Sequence, residues 1–164
     1  MVYWRRHSIL RIGLISDTHG HLAAEVFDLF AGVDFIIHAG DIGKEEVLIE
    51  LASIAEVKAV LGNTDRYPLQ SKLKNIVFFE RENIKFCVTH IVPSVKTFAF
   101  QLFKMNQKAD VVVFGHTHKP TQIMFNEILF VNPGSATLPR HIKKRSVALL
   151  TVESKSISVD FKYF

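Results

Sequence analysis

The chain has 164 residues, of which 48% are hydrophobic and 22% charged, and it carries a formal net charge of +4. That length and balance suit one globular domain over 1–164, with residues 1–8 as a short extension. A single cysteine, Cys87, excludes an intrachain disulfide, and no apolar run approaches the ~20 residues of a membrane-spanning helix.

In chain order, Ile9 to Ile15 reads as a buried strand ended by Ser16-Asp17. Helical spacing follows from His21 to Phe30, through Leu22, Val26, Leu29 and Phe30. Phe35-Ile36-Ile37 is a second strand, Lys44 to Ser53 a second helix and Val57 to Leu61 a third strand. This alternation predicts parallel pairing with right-handed crossovers. The pattern then changes. Val77 to Phe79 and Ile84 to Thr89 flank Arg81-Glu82-Asn83 as a hairpin. Val95 to Gln107 is helical, with Val95, Phe98, Ala99, Leu102 and Met105 on one face, and Val111 to Phe114 is another buried strand. Gln122 to Phe125 with Ile128 to Val131, and Val147 to Val152 with Ile157 to Phe161, form two more hairpins. The expected fold is α/β: two packed sheets of mixed direction with helices outside, the first half supplying the parallel strands.

Five of these apolar strands end in a narrow set of polar residues: Asp17-Thr18-His19, Gly40-Asp41, Gly62-Asn63-Thr64-Asp65, His90 and Gly115-His116-Thr117-His118. In an open α/β sheet the ligand crevice lies outside the carboxyl ends of the strands. Parallel strands would therefore gather Asp17, His19, Asp41, Asn63, His90, His116 and His118 at one place. If these segments are extended, residues i and i+2 point the same way, so Asp17 and His19 face one ion and His116 and His118 another. Taken singly, each motif is as readily a turn or a satisfied polar residue. Together they point to metal binding. Imidazole, carboxylate and amide oxygen without thiolate suit manganese, iron or zinc. Seven ligands exceed one tetrahedral ion but fit two ions sharing a bridge, for which Asp41 has two oxygens and a central place in the order.

The ordered motifs resemble the calcineurin-like metallophosphoesterases over residues 9 to about 140. SDTHGH, HAGD, GNTD, FGHTH and VNPGSAT look most like its small, single-domain phosphodiesterase branch. The resemblance implies a four-layer αββα sandwich and a dimetal centre. Asp17, His19, Asp41 and His118 would hold one metal, and Asp41, Asn63, His90 and His116 the other. The two imidazoles of GHTH then serve different ions, against the simple i, i+2 reading. The implied activity is phosphodiester hydrolysis by a hydroxide bridging the two ions, with Asn63 and His90 also in the catalytic set. The ions are expected to be Mn2+, with Ni2+, Fe, Zn2+ and Mg2+ as alternatives.

Two departures bear on this. Many family members have a histidine after the Gly-Asn pair, where it helps protonate the leaving group. Here Thr64 stands in that place, and Asp65 after it is the remaining candidate acid or else a carboxylate supporting the turn. Without a good acid, substrates with acidic leaving groups should react best, and protein phosphatase activity is not expected. The second departure is Ile91, where the branch commonly reads Thr-His-Gly-His. It keeps His90 but alters the loop beyond it. His21 and His38 are candidates for supporting or substrate-contacting roles, each with a bland alternative as a helix start or a buried polar group. Asn132-Pro133-Gly134-Ser135 is a turn by its chemistry, with a place bordering the site as the alternative. Phe98 and Phe103 are expected in the core, while Phe100 falls on another face suited to a subunit contact in a homo-oligomer.

The expected partner is a small phosphodiester. The scattered basic residues offer no groove for a nucleic acid, and the cluster from His141 to Arg145 reads as a solvated turn. The single thiol and the absence of a signal-peptide pattern in MVYWRRHSIL favour a cytoplasmic location. Two alternatives share these motifs, a non-enzymatic interaction scaffold of the same fold and a nuclease.

Overall fold

The computed structural model describes residues 9–138, 143–154 and 156–164. The N-terminal extension and the 141–142 part of the basic cluster lie outside them. The elements are β1 (Leu10–Ile15), α1 (Glu25–Leu29), β2 (Phe35–His38), α2 (Glu45–Ala52), β3 (Glu56–Ala59), α3 (Leu69–Lys72), β4 (Ile76–Arg81), β5 (Ile84–Thr89), α4 (Val95–Lys104), β6 (Val111–Val113), β7 (Thr121–Phe125), β8 (Ile128–Asn132), β9 (Ser146–Glu153) and β10 (Ser156–Tyr163).

They form two five-stranded sheets, ordered β10-β9-β1-β2-β3 and β4-β5-β6-β8-β7. Both are mixed. In the first, β1, β2 and β3 are parallel while β9 and β10 run against them. In the second, β5, β6 and β8 are parallel and β4 and β7 are antiparallel edges. The parallel strands are thus shared between the halves of the chain rather than confined to the first. The α4 crossover supplies the β5–β6 pair, and the β7 hairpin brings β8 back alongside β6.

Side-chain alternation turns these sheets into four layers. Ile12, Leu14, Phe35 and Ile37 of the first sheet meet Phe86, Val88, Val111, Val113, Leu129 and Val131 of the second in the central core. The outer face of the first sheet packs Ile15 and Ile36 against Val26, Phe30, Val47 and Leu51 of the helical layer. On the outer face of the second, Cys87, Val112 and Phe130 are register neighbours that pack under Phe98 and Leu102 of α4. Strands buried on both faces read as unbroken apolar runs, which is why VVV carries no polar alternation. Each fully buried Leu, Ile or Phe contributes about 1.5–3 kcal/mol relative to exposure.

Three details depart from the expected elements. The helix read over His21 to Phe30 is only Glu25–Leu29. The segment before it is tied to the β2 loop by His19 N–H to Asp41 O at 3.0 Å and Gly20 N–H to Ile42 O at 2.6 Å, which the helix would forfeit. A one-turn helix, Leu69–Lys72, follows Pro68 and seats the buried Leu69; a lone turn leaves no periodicity to read. On α4, Ser94 caps the helix by accepting from Thr97 N–H at 3.1 Å. Phe98 and Leu102 are buried, but Phe103 is 79% exposed and Met105 51%. Phe103 lies five positions beyond Phe98, about 140° round the helix. Met105 lies past the last helical turn.

Candidate metal centre

The C-terminal ends of β1, β2, β3, β5 and β6 carry the polar motifs, and the two sheets touch where these ends meet. Gly115 N–H donates to His90 O at 3.0 Å, tying the loop after β6 to the end of β5. A Cβ on Gly115 would lie 2.0 Å from Ser16 Oγ and 2.9 Å from Asp17 Oδ2, so only glycine lets this loop close on the end of β1. Gly62 does the same for the β3 loop, where a Cβ would lie 2.0 Å from Asp41 N.

Backbone conformation then turns the ligands. Asp17 (φ 55°), His19 (47°), Asp41 (55°), His116 (70°) and His118 (57°) all sit in the left-handed region. For residues with a Cβ this costs roughly 1–2 kcal/mol each. The segments are therefore not extended, and the i, i+2 rule does not govern them. His118 turns toward Asp17 and His19, whereas His116 turns toward Asn63 and His90.

Two triads result, Asp17–His19–His118 and Asp17–Asp41–His90, each with its donor atoms within 4.8 Å of one another. Asp17 is common to both. His118 Nε2 lies 3.1 Å from Asp17 Oδ1 and 3.4 Å from His19 Nε2, and His90 Nε2 lies 3.4 Å from Asp41 Oδ2. Beside the second triad, His116 Nδ1 meets Asn63 Oδ1 at 3.0 Å, and the His90 and His116 rings are 5.3 Å apart.

Backbone carbonyls set the tautomers of two rings. A carbonyl can only accept, so His90 Nδ1–H donates to Ala39 O at 2.7 Å and His118 Nδ1–H donates to Leu138 O at 2.5 Å. In the neutral rings, both Nε2 atoms then present lone pairs to carboxylate oxygens. Among the described residues, Asp17 Oδ1 and His90 Nε2 are buried without a hydrogen-bond partner. Lone pairs facing one another across 3.1–3.4 Å need a positive charge between them, a proton on the imidazole or a metal cation. The donor set of imidazole, carboxylate and amide oxygen fits divalent transition ions.

The electrostatics agree with a site built for positive charge. Burial lifts the Asp17 carboxyl above its usual range, against opposing pulls from Ser16, His90 and His118. Burial also acts to raise Asp41, but contact with His90 and the Thr64 N–H outweigh it and hold the carboxyl well below the usual range. For His90, burial opposes protonation, yet Asp41, the Ala39 carbonyl and the Asp17 charge raise it overall.

The remaining candidates divide. Asp65 is buried and both its oxygens accept backbone donors, Gly43 N–H at 2.7 Å and Gly62 N–H at 2.8 Å. It fastens the β2 and β3 loops together. Thr64 is exposed and enters through its N–H, 2.8 Å from Asp41 Oδ1. His38 is fully buried: Nδ1 accepts from Gly40 N–H at 3.2 Å, and Nε2–H donates to Thr18 Oγ1 at 2.9 Å. Burial presses its pKa down to about 3, so it is a neutral brace under the Asp41 loop. His21 is exposed, and its carbonyl accepts from Thr137 Oγ1 at 3.3 Å. Ile91 is 43% exposed.

Several residues that the motifs did not mark as functional hold the site in place. Ser16 Oγ donates to Asp17 Oδ2 at 2.6 Å, leaving Oδ1 as the free oxygen. Ser135 Oγ donates to Asp17 O at 2.9 Å, and Asn132 Nδ2 donates to Gly115 O at 2.7 Å and Thr117 Oγ1 at 3.0 Å. The NPGS turn thus borders the site, and Leu138 contributes only a carbonyl, which no residue-type pattern could flag. Cys87 plays no part: it is buried beneath α4, and burial pushes its thiol up to about 12.

Similarity to known proteins runs along the same residues. The sequence profile of the calcineurin-like phosphoesterase superfamily domain matches residues 10–155. A probable metallophosphoesterase of Methanocaldococcus jannaschii is 39% identical over 152 residues, 88% of this chain and 77% of that protein. A phosphodiesterase of the same organism is 31% identical over 142 residues, 76% of this chain and 83% of that one. A crystal structure of a conserved protein from Streptococcus pneumoniae, described as a predicted phosphoesterase, superposes with a TM-score of 0.77 at 27% identity, covering 95% of this chain and 90% of the other.

Proposed function

The chain belongs to the calcineurin-like phosphoesterase superfamily, and from that premise we propose that it is a phosphodiesterase working with two divalent cations at the strand ends. The observation that carries the reading is the pair of orphaned buried atoms, Asp17 Oδ1, common to both triads, and His90 Nε2 in the second. In this reading Asp17, His19, Asp41 and His118 hold one ion, and Asp41, Asn63, His90 and His116 hold the other. Asp41 would be the shared carboxylate of that set, with Oδ1 accepting a single N–H and Oδ2 facing His90. Asp17 has one oxygen already engaged by Ser16 Oγ and His116 N–H. Manganese is the proposed occupant, with nickel, iron, zinc and magnesium as alternatives that this mixed donor set also accepts.

Two such cations supply an activated water near neutral pH and withdraw charge from the phosphate oxygens. The chain's own part is to hold their ligands rigid. The Ala39 and Leu138 carbonyls keep His90 and His118 in one tautomer, and Ser16 and Ser135 keep Asp17 turned inward. The Asn63 amide at the exposed edge is placed to touch a phosphate oxygen. Asp65, with both oxygens accepting N–H bonds, does not readily donate a proton, so diesters with acidic leaving groups are the favoured substrates. The whole of 1–164 acts as one domain, in the cytoplasm, on a small phosphodiester. Among the described residues no helix is long and apolar enough to cross a membrane.

The test is turnover of bis(p-nitrophenyl) phosphate by purified protein loaded with manganese, with metal content measured in parallel. Two ions per chain with turnover is the expected result. Two bound ions without turnover of any diester would sink the reading.

A further inference from the structure

We propose that Ile91 selects for singly charged phosphodiesters with a small neutral ester group and against dianionic monoesters. The inference rests on the phosphodiesterase reading and adds to it a specificity-determining residue.

A recess of about 170 Å³ opens between the ends of β3 and β5, lined by Leu61, Gly62, Asn63, Asn75, Thr89, His90 and Ile91. Asn63 and His90 belong to the proposed metal set, so the recess abuts the reacting centre. Ile91 directly follows His90, yet it is 43% exposed where His90 is 3% exposed. Among the described residues, no Lys or Arg lines this recess. A phosphoester held at Asn63 and His90 therefore has one substituent against Leu61 and Ile91. In a diester that substituent is carbon. In a monoester near neutral pH it is a third charged oxygen, since the second phosphate pKa is about 6. An anionic oxygen placed there loses water and, among the described residues, gains no side-chain cation in the recess, whereas an alkyl or aryl group gains apolar contact. The volume is below the ~300–1,000 Å³ of pockets for drug-sized ligands, so it suits one small ring or a short alkyl chain.

The test compares wild type with Ile91→Lys and Ile91→Gln, each checked for metal content and folding. The readout is the kcat/KM ratio of bis(p-nitrophenyl) phosphate to p-nitrophenyl phosphate. Ile91→Lys should move that ratio at least ~10-fold toward the monoester, by supplying the missing counter-charge. Ile91→Gln, the milder change, should move it the same way by about threefold. A second readout needs no turnover: the Ile91 δ1-methyl resonance of wild type loaded with diamagnetic zinc should shift on titration with ethyl phenylphosphonate. An unmoved ratio in folded, metal-loaded variants overturns the role of Ile91, as does a methyl signal indifferent to the bound ester. Loss of the phosphodiesterase reading looks different, since wild type itself would then turn over no diester, whatever its rate on the monoester.

Discussion

Residues with left-handed backbone gather at opposite ends of the strands. At one end are the hairpin turns, Glu82-Asn83 (φ 50° and 62°) and Asn126-Glu127 (48° and 62°), all exposed. At the other are Asp17, His19, Asp41, His116 and His118, mostly buried and aimed at one another. The conformation is the same but its cause differs. Two-residue hairpins need positive φ at both turn positions to match the strand twist, and any residue found there is merely tolerated. At the strand ends glycine would relieve the strain and would remove the ligand. Strain is kept where a side chain is needed.

Substitution by glycine breaks the two ends apart. Asp17→Gly should cost at least ~100-fold in diester turnover and lower the metal content below two ions per chain, measured by kinetics and elemental analysis. Unchanged turnover would remove Asp17 from the centre. Chelation probes the same end without mutation. Metal at about 100 times its Kd should add ~2.7 kcal/mol, or roughly 5–10 °C in Tm by calorimetry. A Tm indifferent to chelator would mean that no metal is bound tightly to the folded state.

Acid acts on the brace beneath the site. Burial holds the His38 pKa down to about 3, well below the 6.5 of an exposed imidazole. Between those values the unfolded chain binds a proton that the folded chain refuses, so stability falls as pH drops through that window. In metal-free protein His38→Gln, which keeps one donor and one acceptor, should be less stable at pH 7. Its stability should also fall less than that of wild type between pH 6.5 and 3 by denaturant titration. An identical slope would show that His38 does not resist protonation. The smallest effect belongs to the hairpin end. Glu127→Gly should stabilise by about 0.5–1 kcal/mol, since relief of the left-handed strain outweighs the added chain entropy of glycine, and should leave turnover unaltered. A lower Tm would show that Glu127 makes a contact worth more than its strain.

Much of this was legible from residue order. Doubly buried strands announce themselves as apolar runs, and turn residues between them mark the hairpins. The places where Asp, Asn and His interrupt those runs mark the crevice. What was misread depended on contacts between distant segments. Helix α1 is short because residues 19 and 20 bond to the β2 loop. The parallel strands extend into the second sheet because β8 docks beside β6. Phe103, apolar and on a helix, faces outward because α4 presents only one side to the sheet.

By itself the sequence determined the αββα layering, the strand ends and the residue types collected there, because side-chain periodicity and local turn chemistry are written in neighbouring residues. Only the tertiary structure decided that left-handed backbone is what parts His116 from His118, and that Asp65 is engaged by Gly43 and Gly62. It also decided that Asp17 stands in both triads, and that Ile91 walls a recess beside His90. Those outcomes depend on positive backbone angles and on hydrogen bonds between loops that are far apart in the chain, and no local pattern encodes such distances.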